Sequence, residues 1–184
     1  MNWHEVRLDE VFATPWKNGG GVARELLFWP HRDDWSVRVS VADIERDGPF
    51  SSYPGVARWF AVLSGGGVKL RVDGHGHSLH TDSEPFRFDG GAKVECDLLA
   101  GPTQDFNLML LGREGRVERV KGRHERTGRK GALVGVYSHE HAITFMAVEV
   151  RITIPPRTLA WNIMPAEERI DFTTPGALWF EVQP

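Results

Sequence analysis

Residues 16–25 read Trp16-Lys17-Asn18-Gly19-Gly20-Gly21-Val22-Ala23-Arg24-Glu25. Three consecutive glycines here precede an apolar run, and glycine permits positive φ angles and the close approach of a ligand or another strand. Two interpretations stay open. The backbone N–H groups converge with Lys17, Asn18 and Arg24 on a small anionic or amide-bearing ligand, or the glycines form an ordinary hairpin connection. Because no helical pattern follows, the segment is neither a Walker loop nor a dinucleotide-binding fingerprint.

The segment leads into a predicted strand, residues 22–29, which ends before Pro30. Period-two alternation predicts Val22, Leu26 and Phe28 on one face, and Ala23, Glu25 and Leu27 on the other. Arg24 then falls on the otherwise apolar face. An unpaired buried guanidinium is costly, so Arg24 needs either a partner or a place at the mouth of a cavity.

The clearest strand in the chain is predicted over residues 35–42, where Trp35, Val37, Val39 and Val41 alternate with polar or small residues. The polar side, which carries Arg38 and Ser40, either faces water or lines the lumen of a barrel. The loop that follows carries two aromatic residues, Phe50 and Tyr53. The rim of a pocket would accommodate them.

The rest of the chain predicts more short strands separated by turns. From Arg113 to Lys130 there are eight Lys or Arg residues against three Glu, which predicts an exposed strand or hairpin, with a weak helical alternative at residues 114–120. Glycine turns and short strands occur in both halves, as in a duplicated and diverged β-barrel. The later strands are predicted at residues 132–137, 142–148, 150–154, 159–164 and 178–182.

Composition restricts the classes of function. The chain has 184 residues, a formal charge of −3 and a pI near 6.2, which argues against general binding to nucleic acid or membrane surfaces. A single cysteine, Cys96, cannot form an internal disulfide, and no run of apolar residues is long enough to span a bilayer. With no signal-peptide pattern at the N-terminus, a cytoplasmic location is expected.

The residue types and their positions limit the chemistry that the chain can perform. The pairs His75/His77 and His139/His141 lie at predicted turns and do not make a convergent metal site. Cys96 stands between two carboxylates, which favours a buried structural thiol over a nucleophile. The remaining polar set would bind a small carboxylate, because arginine recognises carboxylates bidentately and asparagine offers a donor and an acceptor. This set is Lys17, Asn18, Arg24, Arg38, Ser40, Ser51, Arg58 and Asn107, with Phe50 and Tyr53 as walls.

Four ordered blocks resemble the HutD/Ves family. They are Trp16-x-Asn18-Gly19-Gly20-Gly21-x-x-Arg24-Glu25, Arg38-Val39-Ser40-x-Ala42, Asp47-Gly48-Pro49-Phe50-Ser51-x-Tyr53-Pro54-Gly55 and Gly101-Pro102-x-x-Asp105-Phe106-Asn107-Leu108-Met109. The resemblance covers residues 14–112 well and the final third only in general character. It implies an all-β fold of cupin-type double-stranded β-helix barrels, as a bicupin in one compact unit of residues 1–184, with approximate halves 1–112 and 113–184.

The resemblance also implies a role in bacterial histidine utilisation. The expected protein binds a small carboxylate or formamide metabolite, with N-formylglutamate as candidate, and modulates the pathway without catalysis, metal or cofactor. The alternative is a cupin enzyme, an isomerase or hydrolase, that acts on such a metabolite. A third interpretation is an interaction module without a ligand. Exposed strand edges also leave a homodimer open. The family positions carried over are Asn18, Arg24, Glu25, Arg38, Ser40, Phe50, Ser51, Asp105 and Asn107.

Overall fold

The structure, a computed structural model, describes residues 3–147 and 149–184. In these ranges the chain is built of β-strands, and helical structure is limited to a short 3₁₀ helix at Leu8–Glu10. The all-β prediction is therefore confirmed. No helix in the described ranges is long and apolar enough to cross a membrane. The strands are β1 (His4–Arg7), β2 (Thr14–Pro15), β3 (Gly21–Pro30), β4 (Trp35–Ile44), β5 (Gly48–Pro49), β6 (Val56–Gly65), β7 (Val68–Val72), β8 (His75–Leu79), β9 (Phe86–Asp89), β10 (Val94–Leu98), β11 (Thr103–Leu111), β12 (Gly115–Gly128), β13 (Leu133–Ser138), β14 (Ile143–Ala147), β15 (Val150–Ile154), β16 (Thr158–Ile163) and β17 (Glu168–Val182).

The chain divides into two compact units. One contains residues 11–112, and the other contains residues 3–10 together with the described part of residues 113–184. The first unit has a six-stranded antiparallel sheet in the order β2-β3-β4-β11-β6-β9 and a four-stranded sheet in the order β5-β10-β7-β8. Its apolar core contains Ile44 and Phe60 of the larger sheet and Leu70 and Cys96 of the smaller one, so it lies between the two sheets.

Strand β4 shows how the sequence pattern builds this unit. Val37, Val39 and Val41 are fully buried on one face, as the alternation predicts. Ser40 is buried on the other face, which it shares with Ile44 of the core between the sheets. The side of β4 that carries polar residues therefore faces the barrel interior and not bulk water.

A bulge changes the predicted faces of β3. The register with β4 pairs Glu25 with Ser40 but Leu27 with Val39, which leaves Leu26 as the extra residue. After this insertion Leu27 lies on the face of Val39, and Phe28 pairs with Arg38. The strict alternation predicted for Leu27 and Phe28 is thus wrong.

The second unit is a seven-stranded antiparallel sheet. Six strands follow the order β1-β16-β13-β17-β14-β15, and β12 pairs with β17 beside this path. The segment predicted as an exposed strand or hairpin is the long strand β12, so the weak helical alternative at residues 114–120 is wrong. Its partner β17 begins at Glu168, earlier than predicted, because the ladder continues past Pro175 and Gly176 through a register shift between Val120 and Gly122. The strand predicted at residues 142–148 is β14, and Val148 lies outside the described residues.

Candidate functional site

The unit of residues 11–112 contains a cavity of about 510 Å³. All of the polar and aromatic site residues predicted from the sequence line it except Arg24 and Asp105. A volume of this size fits a small-molecule ligand. The lining residues are Thr14, Pro15, Trp16, Lys17, Asn18, Ala23, Glu25, Arg38, Ser40, Ala42, Ile44, Pro49, Phe50, Ser51, Ser52, Tyr53, Arg58, Phe60, Asn107 and Met109.

Cross-strand register brings residues that are distant in the sequence into this cavity. In antiparallel strands, directly opposed residues point to the same face, with Cβ atoms about 4.5–5.5 Å apart. Strand β11 lies between β4 and β6, so each of its inward residues has a partner on both sides. Two adjacent rows result, Glu25–Ser40–Asn107–Phe60 and Arg38–Met109–Arg58.

Arg38 is held by a carboxylate of the same cavity. Its Nε donates to Glu25 Oε2 at 2.8 Å, and its Nη2 donates to Glu25 Oε1. Its Nη1 donates to the hydroxyl of Tyr53 at 3.3 Å. Burial opposes the charge of Arg38, but hydrogen bonds and charge attraction to Glu25, together with Tyr53, raise its pKa above the ordinary value. Glu25 therefore neutralises Arg38 inside the cavity.

Arg58 lies in the same cavity without a carboxylate partner among the described residues. The residue is only 6% exposed. Its Nη2 donates to Asn107 Oδ1 at 3.2 Å, its Nη1 donates to the Ser51 carbonyl at 3.4 Å, and its buried Nε has no hydrogen-bond partner there. The pKa of Arg58 is lowered to about 10, chiefly by burial; Tyr53 opposes this shift and the charge of Arg38 contributes to it. Arg58 is thus a buried cation that meets only neutral acceptors.

Aromatic rings enclose the Arg58 guanidinium. Its carbon lies 5.1 Å from the centre of the Phe50 ring and 5.0 Å from that of Phe88. Such contacts attract a cation electrostatically, yet they do not replace an anion. Phe50 and Tyr53, predicted at a pocket rim, both line the cavity.

The glycine segment forms a hairpin turn between β2 and β3. The N–H of Gly19 donates to the Trp16 carbonyl at 3.0 Å, and the N–H of Gly20 donates to Asn18 Oδ1 at 3.0 Å. These two N–H groups are used within the turn and are therefore not available to a ligand, whereas the side chains of Lys17 and Asn18 line the cavity. Asn18 also donates from Nδ2 to the Pro49 carbonyl at 3.1 Å, which connects the turn to the facing segment.

Arg24 and Asp105 lie away from the cavity lining. Arg24 pairs with Asp43 on the other face of the sheet, where Nη1 donates to Oδ2 at 2.5 Å. Asp43 is therefore the partner that the sequence pattern predicted Arg24 to need. Asp105 is fully buried, and its Oδ2 accepts from the Thr103 hydroxyl at 2.7 Å, while its Oδ1 has no partner among the described residues. The pKa of Asp105 is raised to about 8, chiefly by burial; the hydrogen bond from Thr103 opposes this shift and the charge of Asp43 contributes to it.

The Cys96 thiol and the candidate metal ligands lie outside the cavity lining. Cys96 is buried in the core, and burial, with nearby Asp105, Asp97 and Asp47, raises the pKa of its thiol to about 12. Within the described ranges, no group of three or more His, Cys, Asp or Glu side chains is placed to hold a metal ion. The expectation of a site without metal, cofactor or catalytic residue stays a prediction.

A family model described as HutD matches residues 9–180. The chain belongs to the HutD family. It is 41% identical over 106 residues to a 21.2 kDa protein from the hutC 3' region of Pseudomonas putida, a match that spans only 56% of each chain. It is also 38% identical over 126 residues to protein Ves of Cronobacter sakazakii, covering 67% of this chain and 70% of Ves. These matches confirm the resemblance to the HutD/Ves family.

Solved structures support the same assignment. HutD from Pseudomonas fluorescens SBW25, in a formate condition, superposes with a TM-score of 0.85 and 26% identity over 99% of this chain and 98% of that one. Protein Ylba of Escherichia coli superposes with a TM-score of 0.71 at 10% identity, over 98% of this chain and 90% of that one, a likeness of fold alone. The cupin-type barrel fold expected of the HutD family is thereby confirmed.

Some lining residues of this HutD-family cavity were not among the sequence-predicted set. Met109 lies in the same strand and on the same face as Asn107, and Ala42 shares its face of β4 with Ser40. Their alternation with Asn107 and Ser40 is visible in the sequence, but Met109 and Ala42 are not polar, and a polar pattern does not include them. Thr14 and Pro15 had no such signal, because their place in the lining depends on the short pairing of β2 with β3.

Proposed function

We propose that this protein binds a small metabolite bearing a carboxylate, without catalysis. The observation that carries the proposal is the buried guanidinium of Arg58, which faces the cavity and has no carboxylate partner among the described residues. Burial of an unpaired charge is costly. A bound carboxylate would neutralise Arg58 and accept charge-assisted hydrogen bonds from it.

The neutral groups around Arg58 suit the same ligand. Because Asn107 accepts from Arg58 through Oδ1, its amide Nδ2 is left as a donor beside the guanidinium. The hydroxyl of Ser40 lies beside Asn107 in the same row. Several donors at one place favour an oxyanion, and the amide of Asn107 also suits the formamide of a ligand.

The charges of the lining favour a ligand without an ammonium group. Lys17, Arg38 and Arg58 are cationic, and Glu25 is the acidic residue of the lining, with both of its oxygens engaged by Arg38. An ammonium would therefore meet a net positive surface without an available carboxylate. An N-acylated acid such as N-formylglutamate avoids this repulsion, whereas glutamate does not.

The setting of the family makes N-formylglutamate the candidate ligand. HutD-family membership links the chain to histidine utilisation, and N-formylglutamate, an acid of that pathway, carries two carboxylates and a formamide. A binding role without turnover is supported by the engagement of Glu25, which is not available as a general base. It is also supported by the position of the Cys96 thiol in the core, outside the cavity lining.

Isothermal titration calorimetry tests the proposal. N-formylglutamate is titrated into the protein, with glutamate, urocanate and formate as comparison ligands, and the ligand is assayed for turnover afterwards. We expect saturable binding of N-formylglutamate, weaker binding of glutamate, and no turnover. Absence of heat with all four ligands, from folded protein, would refute the proposal.

The variant Arg58→Met tests the group that carries it. Loss of a charge-assisted hydrogen bond to the ligand is expected to weaken binding about 10- to 100-fold. Arg71→Met is the matched control, because Arg71 forms ion pairs with Glu95 and Asp97 in the smaller sheet and does not line the cavity. Equal affinities of the two variants would show that Arg58 does not contact the ligand.

A further inference from the structure

The guanidinium of Arg38 is held on several sides. Two of its nitrogens donate to Glu25, and the third, Nη1, donates to Tyr53. The rings of Phe28, Trp35 and Tyr53 lie around it, with centres 5.6, 5.9 and 5.8 Å from its carbon. A guanidinium fixed in this way has little freedom to turn toward a ligand. Its charge is also balanced by Glu25, unlike that of Arg58.

Tyr53 is fixed at its backbone as well. Its N–H donates to the Gly90 carbonyl at 2.6 Å, and its carbonyl accepts from the N–H of Val56 at 3.1 Å. The ring lies near both arginines, with its centre 5.8 Å from the guanidinium carbon of Arg38 and 5.9 Å from that of Arg58. The side chain therefore reaches the region in which a ligand carboxylate would meet Arg58.

The hydrogen bond from Arg38 decides the direction of the Tyr53 hydroxyl. Because the oxygen accepts from Nη1 of Arg38, the hydroxyl proton points away from Arg38. Tyr53 lines the cavity, so this proton is available to a bound acceptor. A hydroxyl that accepts from a cation is polarised and donates more strongly.

From these contacts we infer that Arg38 is a positioning residue, which holds the hydroxyl of Tyr53 as a donor to the bound ligand. Glu25 keeps Arg38 in place, Arg38 orients Tyr53, and Tyr53 and Arg58 contact the ligand carboxylate. The inference rests on the proposed function and assigns different roles to two arginines of one cavity. It also makes Tyr53 a residue that determines specificity for oxyanions.

A double-mutant cycle tests this coupling. Tyr53→Phe is measured in the wild type and in a background with Glu25→Gln and Arg38→Met together, since removal of Arg38 alone would leave a mostly buried carboxylate unpaired. We expect Tyr53→Phe to weaken N-formylglutamate binding about 10-fold in the wild type and less than about 2-fold in the background. If Arg38 had a purely structural role, Tyr53→Phe would weaken N-formylglutamate binding by the same factor in both backgrounds.

Each outcome of the cycle decides between the roles. An equal loss in both backgrounds, or no loss in the wild type, overturns the inference while the proposed function stands. No binding of N-formylglutamate to the wild type overturns both. If thermal unfolding shows that the double-substituted background does not fold, Arg38→Lys replaces it, since lysine keeps the charge but cannot donate to Glu25 and Tyr53 in the same geometry.

Discussion

Two arginines face the same cavity, and their partners give them different properties. Arg38 lies against Glu25, whose charge raises the pKa of Arg38 despite burial. Arg58 meets the amide oxygen of Asn107 and the backbone carbonyl of Ser51, so burial dominates and lowers its pKa to about 10. A carboxylate that entered the cavity would reverse this effect for Arg58. The charge of a bound carboxylate would accordingly raise the pKa of Arg58 more than that of Arg38, which Glu25 already neutralises.

Asp105 provides a prediction on stability. Its pKa is raised to about 8 by burial, whereas an unfolded aspartate titrates near 3.9. Between these values the folded state binds a proton that the unfolded state has lost, so the free energy of unfolding falls as pH rises, by up to about 1.4 kcal/mol per pH unit. Asp105→Asn, whose amide stays neutral, should remove this component and be more stable than the wild type at pH 8.

Urea unfolding of both proteins at pH 5, 6.5 and 8 measures this difference. Asp82→Asn is the control, because it makes the same substitution at an exposed aspartate. If the free energy of unfolding of Asp105→Asn fell between pH 5 and pH 8 as steeply as that of the wild type, the Asp105 carboxyl would not be the source of the pH dependence. The raised pKa of Asp105 would then not determine how the free energy of unfolding changes with pH.

At the scale of elements, the glycine turn joins β2 to β3 and lets β3 lie against β4. A Cβ at Gly21 would stand 2.2 Å from the backbone carbonyl oxygen of Asp43, whereas a Cβ at Gly19 meets nothing within 4 Å. Gly19 has a φ of 70°, which costs an alanine about 1 kcal/mol. Gly21→Ala should therefore lower the free energy of unfolding by more than about 2 kcal/mol, and Gly19→Ala by about 1 kcal/mol.

Urea unfolding of the two alanine variants compares them under the same conditions. Gly101→Ala serves as a further reference, because Gly101 also has a positive φ and an open surrounding. Equal losses at positions 19 and 21 would show that β3 and β4 can separate without cost. The close approach of the two strands would then not be the reason for glycine at position 21.

The sequence predicted the strands better than their faces. Alternation located β4 and its inward residues, since period two is a local property of the chain. The bulge at Leu26 was not visible, because it is defined by the pairing of β3 with β4. The sequence also could not identify Asp43 as the partner of Arg24, because the two residues are nineteen positions apart and only the pairing of β3 with β4 brings them together. Half of the twenty lining residues were predicted, and those among them that lie in strands, such as Ser40 and Asn107, are inward polar positions that can be recognised locally.

At the scale of the whole molecule, the N-terminal residues complete the second unit. Strand β1 pairs with β16, from His4 opposite Trp161 to Arg7 opposite Thr158. The fully buried Leu8 follows, and its N–H donates to the Arg157 carbonyl at 2.8 Å. Strand β1 therefore belongs to the same unit as strands β12–β17, although the residues of the cavity unit separate them along the sequence. This arrangement places a long-range pairing at the edge of the sheet.

Deletion of residues 1–7 tests what this pairing contributes. Without β1, the N–H groups of β16 that point to β1 lose their hydrogen-bond partners, so these alternate backbone amides in residues 158–161 should exchange with solvent at least about 10-fold faster, while those that point to β13 should not. Hydrogen exchange followed by mass spectrometry measures this, with β11 of the other unit as the internal reference. His4→Ala is the matched control, since it removes the stacking on Trp161 but keeps the strand. Unchanged exchange in β16 after the deletion would mean that β1 does not protect it in solution, and that the second unit is complete without the N-terminal strand.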